Sequence, residues 1–154
     1  MKSLNATLET RCGPGGTESI QRALNAIDGL LADARRRNPE SEYFSEFGVE
    51  LRRLHAGIRI AHAADVLTSD DLGGTPIPPE LVSDLTRLRG EHRMLLGMLD
   101  RLIRAVDLMS DLTLEDKDVF FLRVRELLAI LRRHEAEENR LVYVAVWSDT
   151  GGES

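Results

Sequence analysis

Apolar residues recur along four stretches of the chain at alternating spacings of three and four residues, which is the period of an amphipathic α-helix. Thr113 and Asp116 form a capping-box pattern before the fourth stretch, and Pro79 suits the first turn of the third. The pattern predicts four helices. Their rows are Ile20, Leu24, Ile27, Leu31 and Ala34; Phe44, Phe47, Leu51, Leu54 and Ile58; Leu81, Leu85, Leu88, His92, Leu95, Leu99, Leu102 and Val106; and Phe120, Val124, Leu127, Leu131, His134, Glu138, Leu141 and Ala145.

The second helix has two rows of equal regularity. Besides the row that starts at Phe44, a row displaced by one residue runs through Leu51, His55, Ile58, His62 and Asp65. The first row buries only apolar side chains, whereas the second turns two histidines toward the other helices. The periodicity does not decide which of the two rows faces inward.

The segment 68–78 is the one long connection, and it is rich in Gly, Pro and Asp. It divides the chain into two helix pairs, 17–67 and 79–148. We predict a flexible N-terminal tail over 1–16, a single domain over 17–148 and a C-terminal tail over 149–154. The expected fold is all-α, an up-down-up-down antiparallel four-helix bundle.

Composition narrows the class of protein. Hydrophobic residues make up 42% of the 154 residues and aromatic residues only 5%, which favours helices. Twenty Lys and Arg against 26 Asp and Glu give a net charge of −6, the wrong sign for a nucleic-acid partner. A single cysteine and the lack of a long apolar run predict a cytoplasmic protein with no disulfide and no membrane association.

Three strongly polar residues, His92, His134 and Glu138, occupy positions in the rows of the third and fourth helices. Burying an unpaired carboxylate costs several kcal/mol, so these residues need partners. Counted from the turn between the two helices, His92 and His134 lie within about one turn of the same height, and Glu138 follows one turn later. They can therefore share either a hydrogen-bond network or a metal ion.

The other two histidines lie on the second helix. If its end near Leu67 is set level with Glu80, His55 comes to the height of His92 and His62 close to that of Glu138. Imidazole and carboxylate groups on facing helices are ligands of first-row transition metals. The candidate metal ligands are therefore His92, His134, Glu138, His62 and His55. The carboxylates beside the rows are interpreted as solvated charges: Glu91, Glu135 and Glu137.

The segments EHRMLLGMLDRL and LLAILRRHEAEENRLVY resemble the second half of a hemerythrin-like (HHE cation-binding) domain. The resemblance implies a metal-binding four-helix bundle in which His92 is the lone histidine ligand, while His134 and Glu138 form the H-x-x-x-E motif. It implies iron as the cofactor, with oxygen, nitric oxide or iron itself being bound. The first half lacks its part of the pattern, since Arg59 and Val66 stand four residues after the two earlier histidines.

Three functional hypotheses follow from this half-matched pattern. The first is an iron-binding or sensing protein whose site is mononuclear, a depleted di-iron centre, or shared across a homodimer. The second is a bundle without metal that acts as an interaction or regulatory module through its Arg-rich helices. The third is an enzyme of metal-assisted oxidation or peroxide removal, in which Glu138 is either ligand or base; the sequence does not separate it from passive binding. No organic cofactor is expected.

Overall fold

The computed structural model describes residues 14–34, 41–63, 76–109 and 113–150. They form four helices, which are α1 (Pro14–Asp33), α2 (Ser41–Ala63), α3 (Pro79–Asp107) and α4 (Leu114–Thr150). No strand occurs within these ranges, so the all-α prediction is confirmed. Most of the predicted tails and of the 68–78 connection lies outside the described residues, although 14–16 and 149–150 are helical.

The boundary of the longest helix has a local cause. The backbone N–H of Asp116 donates to Oγ1 of Thr113 at 3.2 Å, and the backbone N–H of Thr113 donates to Oδ2 of Asp116 at 3.1 Å. These reciprocal bonds satisfy N–H groups that the first turn of a helix leaves without intrahelical partners. The predicted capping box is thus confirmed, and it starts α4.

One apolar core is shared by all four helices. One part of it is aromatic, where Phe47 of α2 packs edge-on against Phe120 of α4 at 5.7 Å between ring centroids. Tyr43 lies 5.3 Å from the same Phe47 ring, and its hydroxyl donates to the carbonyl of Leu30 on α1. Edge-to-face contacts of this kind stabilise a core beyond the area that they bury.

The structure decides between the two rows of α2. Phe44, Phe47, Leu51 and Leu54 are buried, Leu54 completely, whereas the side chain of His55 remains 21% exposed. The all-apolar row therefore faces the core. This choice avoids the cost of burying an imidazole, and it leaves His55 at the flank of the helix.

A second and smaller apolar cluster joins only α3 and α4 among the described residues. Its buried members are Leu81, Leu85, Leu88, Leu141 and Ala145. Between this cluster and the shared core, the rows of α3 and α4 carry their polar residues. In the described part of the chain, no helix has the length and apolar character needed to cross a membrane.

Candidate metal centre

The row of α3 is interrupted at His92, between Leu88 and Leu95, and the row of α4 at His134 and Glu138. Both imidazoles are almost fully buried, His92 with 4% and His134 with 3% of its surface exposed. The heptad-like spacing that buries the neighbouring leucines also turns these side chains inward. The sequence thus places two histidines in a region from which water is largely excluded.

The three polar side chains converge on a single atom. Nε2 of His134 lies 2.9 Å and Nε2 of His92 lies 3.0 Å from the same Oε1 of Glu138. The centroids of the two imidazole rings are 4.5 Å apart. The structure therefore brings together His92, His134 and Glu138, the three candidates that interrupt the rows.

A second carboxylate approaches His134 from the opposite side. Oε2 of Glu91, on α3, lies 2.8 Å from Nδ1 of His134. The imidazole is therefore held between two carboxylates, one on each of its nitrogens. The interpretation of Glu91 as a solvated charge is wrong in this respect. Its position directly before His92 puts it beside the apolar row of α3, but this spacing does not tell which neighbouring helix it faces.

Glu91 belongs to a wider set of ion pairs between the two helices. Nη1 of Arg87 donates to Oε1 of Glu91 at 2.9 Å, and Nη2 of Arg87 donates to Oε1 of Glu137 at 3.0 Å. Glu137 also accepts two hydrogen bonds from Arg140, at 2.7 and 3.1 Å. A row of paired charges thus runs from the surface to the buried His134.

The surroundings shift the acidity of the cluster. Burial raises the pKa of Glu138, but the hydrogen bonds from His134 and His92 outweigh it and lower the pKa to about 2. Burial lowers the pKa of His134. The hydrogen bonds to Glu138 and Glu91 and the charges of these two carboxylates raise it by more, so the pKa of His134 lies above its ordinary value. Burial and the charge of Glu138 both raise the pKa of Glu135, which is half-buried beside the cluster.

These shifts predict a pH dependence for the stability of the metal-free protein. The folded pKa of Glu138 lies below its ordinary 4.5, so its contribution is complete above pH 4.5 and is lost as the pH falls through 2. The folded pKa of His134 lies above its ordinary 6.5, so its contribution is complete below pH 6.5 and is lost as the pH rises through the raised value. The cluster therefore stabilises most between pH 4.5 and 6.5.

Urea unfolding across this pH range, with a chelator present, measures the effect. Glu138→Gln should remove the part of the decline in unfolding free energy at low pH that Glu138 causes, since the amide does not titrate. A pH profile of this variant that is parallel to that of the wild type would contradict the assignment.

Of the two remaining histidines, His55 lies outside the cluster. His55 lies against Asp100 of α3, with Nε2 at 3.1 Å from Oδ1. Asp100 is about two helical turns, or ~12 Å, along α3 from His92. The structure thus places His55 at a different height from the one expected by aligning the helix ends. His62 is in the last turn of α2, and its side chain lies outside the described part of the structure.

The donor set fits a transition-metal ion. Two imidazole nitrogens and one carboxylate oxygen lie within 4.8 Å of one another, two of the three residues being buried. First-row metals accept this mixture of nitrogen and oxygen ligands. Tyr143, the aromatic residue after the H-x-x-x-E motif, is 62% exposed, and its ring lies 5.6 Å from that of Trp147 at a tilt of 42°.

Comparisons with known proteins add no relative to these observations. No family model, no curated protein and no solved structure matches the chain.

Proposed function

We propose that this protein is a hemerythrin-like, antiparallel four-helix bundle that binds one transition-metal ion, iron in the first place, through His92, His134 and Glu138. The observation that carries the proposal is the convergence of two buried Nε2 atoms on one carboxylate oxygen. The resemblance of the α3 and α4 sequences to a hemerythrin-like domain supports the same residues and the same metal.

The pairing of contacts supports the antiparallel arrangement. From Arg52 to His55 the residue number rises along α2, while their partners on α3 fall from Asp107 to Asp100. Between α3 and α4, Arg87 contacts Glu137 and Glu91 contacts His134, again in opposite directions. If the pairing of His55 with Asp100 is extended by two turns along antiparallel helices, the backbone of His62 comes to the height of His92. His62 therefore stays a candidate for a further ligand.

Two histidines and one carboxylate favour a mononuclear iron(II) site over a di-iron centre. Non-haem iron(II) sites commonly use this ligand set and leave other coordination positions open. When bound, the ion would supply those positions to a small diatomic molecule such as oxygen or nitric oxide. The chain itself would contribute the ligands and, one turn to either side of His92, the fully buried Leu88 and Leu95.

A second candidate function is an interaction or regulatory module that uses no metal. The observation in its favour is that hydrogen bonds already satisfy the cluster, since Glu138 accepts from both imidazoles and Glu91 accepts from His134. Such a network is a sufficient reason for burying these side chains. The two functions therefore differ in whether a metal ion can replace the protons of the imidazoles.

Metal analysis and thermal unfolding distinguish the two candidates. Protein from iron-supplemented cells should carry stoichiometric iron, and added iron(II) or cobalt(II) should stabilise the chelator-treated protein by about 2.7 kcal/mol when the free ion is at 100 times its Kd. His134→Ala should abolish both effects, because it removes a ligand from the centre of the cluster. His55→Ala is the matched control, since His55 is a histidine outside the cluster, and it should bind as the wild type does.

Stoichiometric iron in His134→Ala would contradict the proposal, as would an equal loss of iron in His55→Ala. A folded wild-type protein whose unfolding does not respond to iron(II), cobalt(II) or zinc would instead support the metal-free module.

A further inference from the structure

We infer that Glu91 is a positioning residue that fixes the imidazole of His134 so that Nε2, and not Nδ1, faces Glu138 and His92. Its effect on metal affinity rests on the proposed function, whereas its effect on the orientation of the ring does not. Arg87 in turn holds Glu91.

The inference begins with the symmetry of the imidazole. A histidine ring can turn over, and either nitrogen can then serve as the ligand atom. In this structure each nitrogen of His134 has its own carboxylate, with Glu91 at 2.8 Å from Nδ1 and Glu138 at 2.9 Å from Nε2. The two carboxylates come from different helices. The orientation of the ring is therefore set jointly by α3 and α4.

Burial makes the contact with Glu91 consequential. The side chain of His134 is 2% exposed, so water has little access to replace a missing partner of Nδ1. A buried polar atom that loses its partner pays its full desolvation cost. The ring orientation that keeps Nδ1 on Glu91 is thus favoured over one that leaves Nδ1 without an acceptor.

Glu91 is itself held in place. Its Oε1 accepts from Arg87 at 2.9 Å, which leaves Oε2 directed at His134. The other terminal nitrogen of Arg87 donates to Glu137 of α4. Because both terminal nitrogens of Arg87 are hydrogen-bonded, Glu91 has less rotational freedom than a solvated glutamate on a helix surface. The two oxygens of this one carboxylate link a surface ion pair to a buried imidazole.

This arrangement has a chemical consequence for a metal ligand. A carboxylate that accepts the distal N–H of a ligating histidine orients the ring and raises the basicity of the other nitrogen. Loss of such a partner weakens metal binding by about 10- to 100-fold. Glu91 would therefore raise the affinity of the site without touching the ion.

The test compares two variants of Glu91 with a control from the same row of charges. Glu91→Ala removes the acceptor, and Glu91→Gln keeps an oxygen that can accept from Nδ1 but removes the charge. Arg140→Ala is the control, because Arg140 binds Glu137 and Asp84 but makes no contact with Glu91. Zinc is the probe, since it is diamagnetic and binds the same donor types.

The first readout is the orientation of His134 in chelator-treated, ¹⁵N-labelled protein. Wild type and Arg140→Ala should show an imidazole proton on Nδ1 that exchanges slowly with solvent. Glu91→Ala should lose this protected proton, and Glu91→Gln should retain it. An unchanged, protected Nδ1 proton in Glu91→Ala would overturn the inference, whether or not the protein binds a metal.

The second readout is the Kd for zinc, measured by competition with a chromophoric chelator. Glu91→Ala should weaken binding by about 10- to 100-fold, Glu91→Gln by less, and Arg140→Ala by no more than about twofold. An affinity of Glu91→Ala equal to that of the wild type would overturn the role of Glu91 in binding. If the wild type binds no zinc, iron or cobalt, the proposed function fails, and the first readout alone decides the role of Glu91.

Discussion

Replacing Glu138 alone by leucine is expected to lower the free energy of unfolding of the metal-free protein by about 3–5 kcal/mol. The substitution removes Oε1 of Glu138, which both His92 and His134 contact through Nε2. Both imidazoles would keep the cost of burial but lose the acceptor of Nε2, and His134 would keep only Glu91 on Nδ1. Removing one partner of a buried polar network is therefore more damaging than removing the network.

Replacement of all three residues by leucine tests the other half of this argument. With both buried imidazoles and the Glu138 carboxylate removed, and with Glu91 still paired to Arg87, the triple variant is expected to equal the wild type in stability or to exceed it by about 1–4 kcal/mol. Such a result would show that the cluster is not kept for stability. The metal-binding measurements would then decide between ligand binding and the metal-free module as the reason for its presence.

Urea unfolding at neutral pH with a chelator present measures both variants. Glu137→Leu is the matched control, because the side chain of Glu137 is 26% exposed, against 27% for Glu138, but has arginine partners at the surface. The loss of stability in Glu137→Leu should be much smaller than in Glu138→Leu, since ion pairs at the surface contribute little. Equal losses in the two single variants would contradict the role assigned to the buried network.

The second large effect is expected at the aromatic end of the core. Phe47→Ala should lower the free energy of unfolding by about 3–5 kcal/mol, because it leaves a cavity as well as removing buried surface. Phe47 is completely buried and packs against Tyr43, Phe120 and Phe121 from two helices. The neighbouring rings have no space to fill the gap without leaving their contacts with one another.

Val49→Ala is the control for this substitution. Val49 lies on the same helix but is about half exposed, so its replacement should change stability by no more than about 0.5 kcal/mol. Chemical unfolding of both variants gives the comparison. A loss below about 1 kcal/mol in Phe47→Ala would mean that the aromatic cluster is not the centre of the core.

Periodicity was sufficient to predict the helices and most of their buried faces. The rows of α1, α3 and α4 depend only on spacings within one helix, and the residues that occupy them are buried or half-buried in the structure. The meeting of His92 with His134 followed from counting turns away from a short connection. A short turn allows little freedom in the relative height of two helices, so this count was reliable.

The same counting was unreliable between α2 and α3. Setting the helix ends level placed His55 beside His92, whereas the structure pairs it with Asp100. A connection as long as 68–78 does not fix the relative height of the helices that it joins. The sequence pattern also could not decide between the two rows of α2. Both rows have the same spacing, so only the contacts with the other helices distinguish them.

Glu91 shows a further limit of sequence patterns. Its role depends on an approach across two helices, and a carboxylate beside an apolar row looks the same whether it is solvated or bound. Only the distance from Oε2 to Nδ1 of His134 distinguishes the two cases.

The cluster of His92, His134 and Glu138 lies between two apolar parts of the protein that need not unfold together. On one side lies the core shared by four helices, and on the other a small cluster that only α3 and α4 form among the described residues. The smaller cluster has fewer buried contacts, so the ends of these two helices should exchange their amide protons through local opening, at a lower free energy than global unfolding. Such opening starts at the helix ends near Leu81 and Ala145 and reaches the histidines past Leu88 and Leu141. It would admit a ligand to the buried cluster while the rest of the fold stays intact.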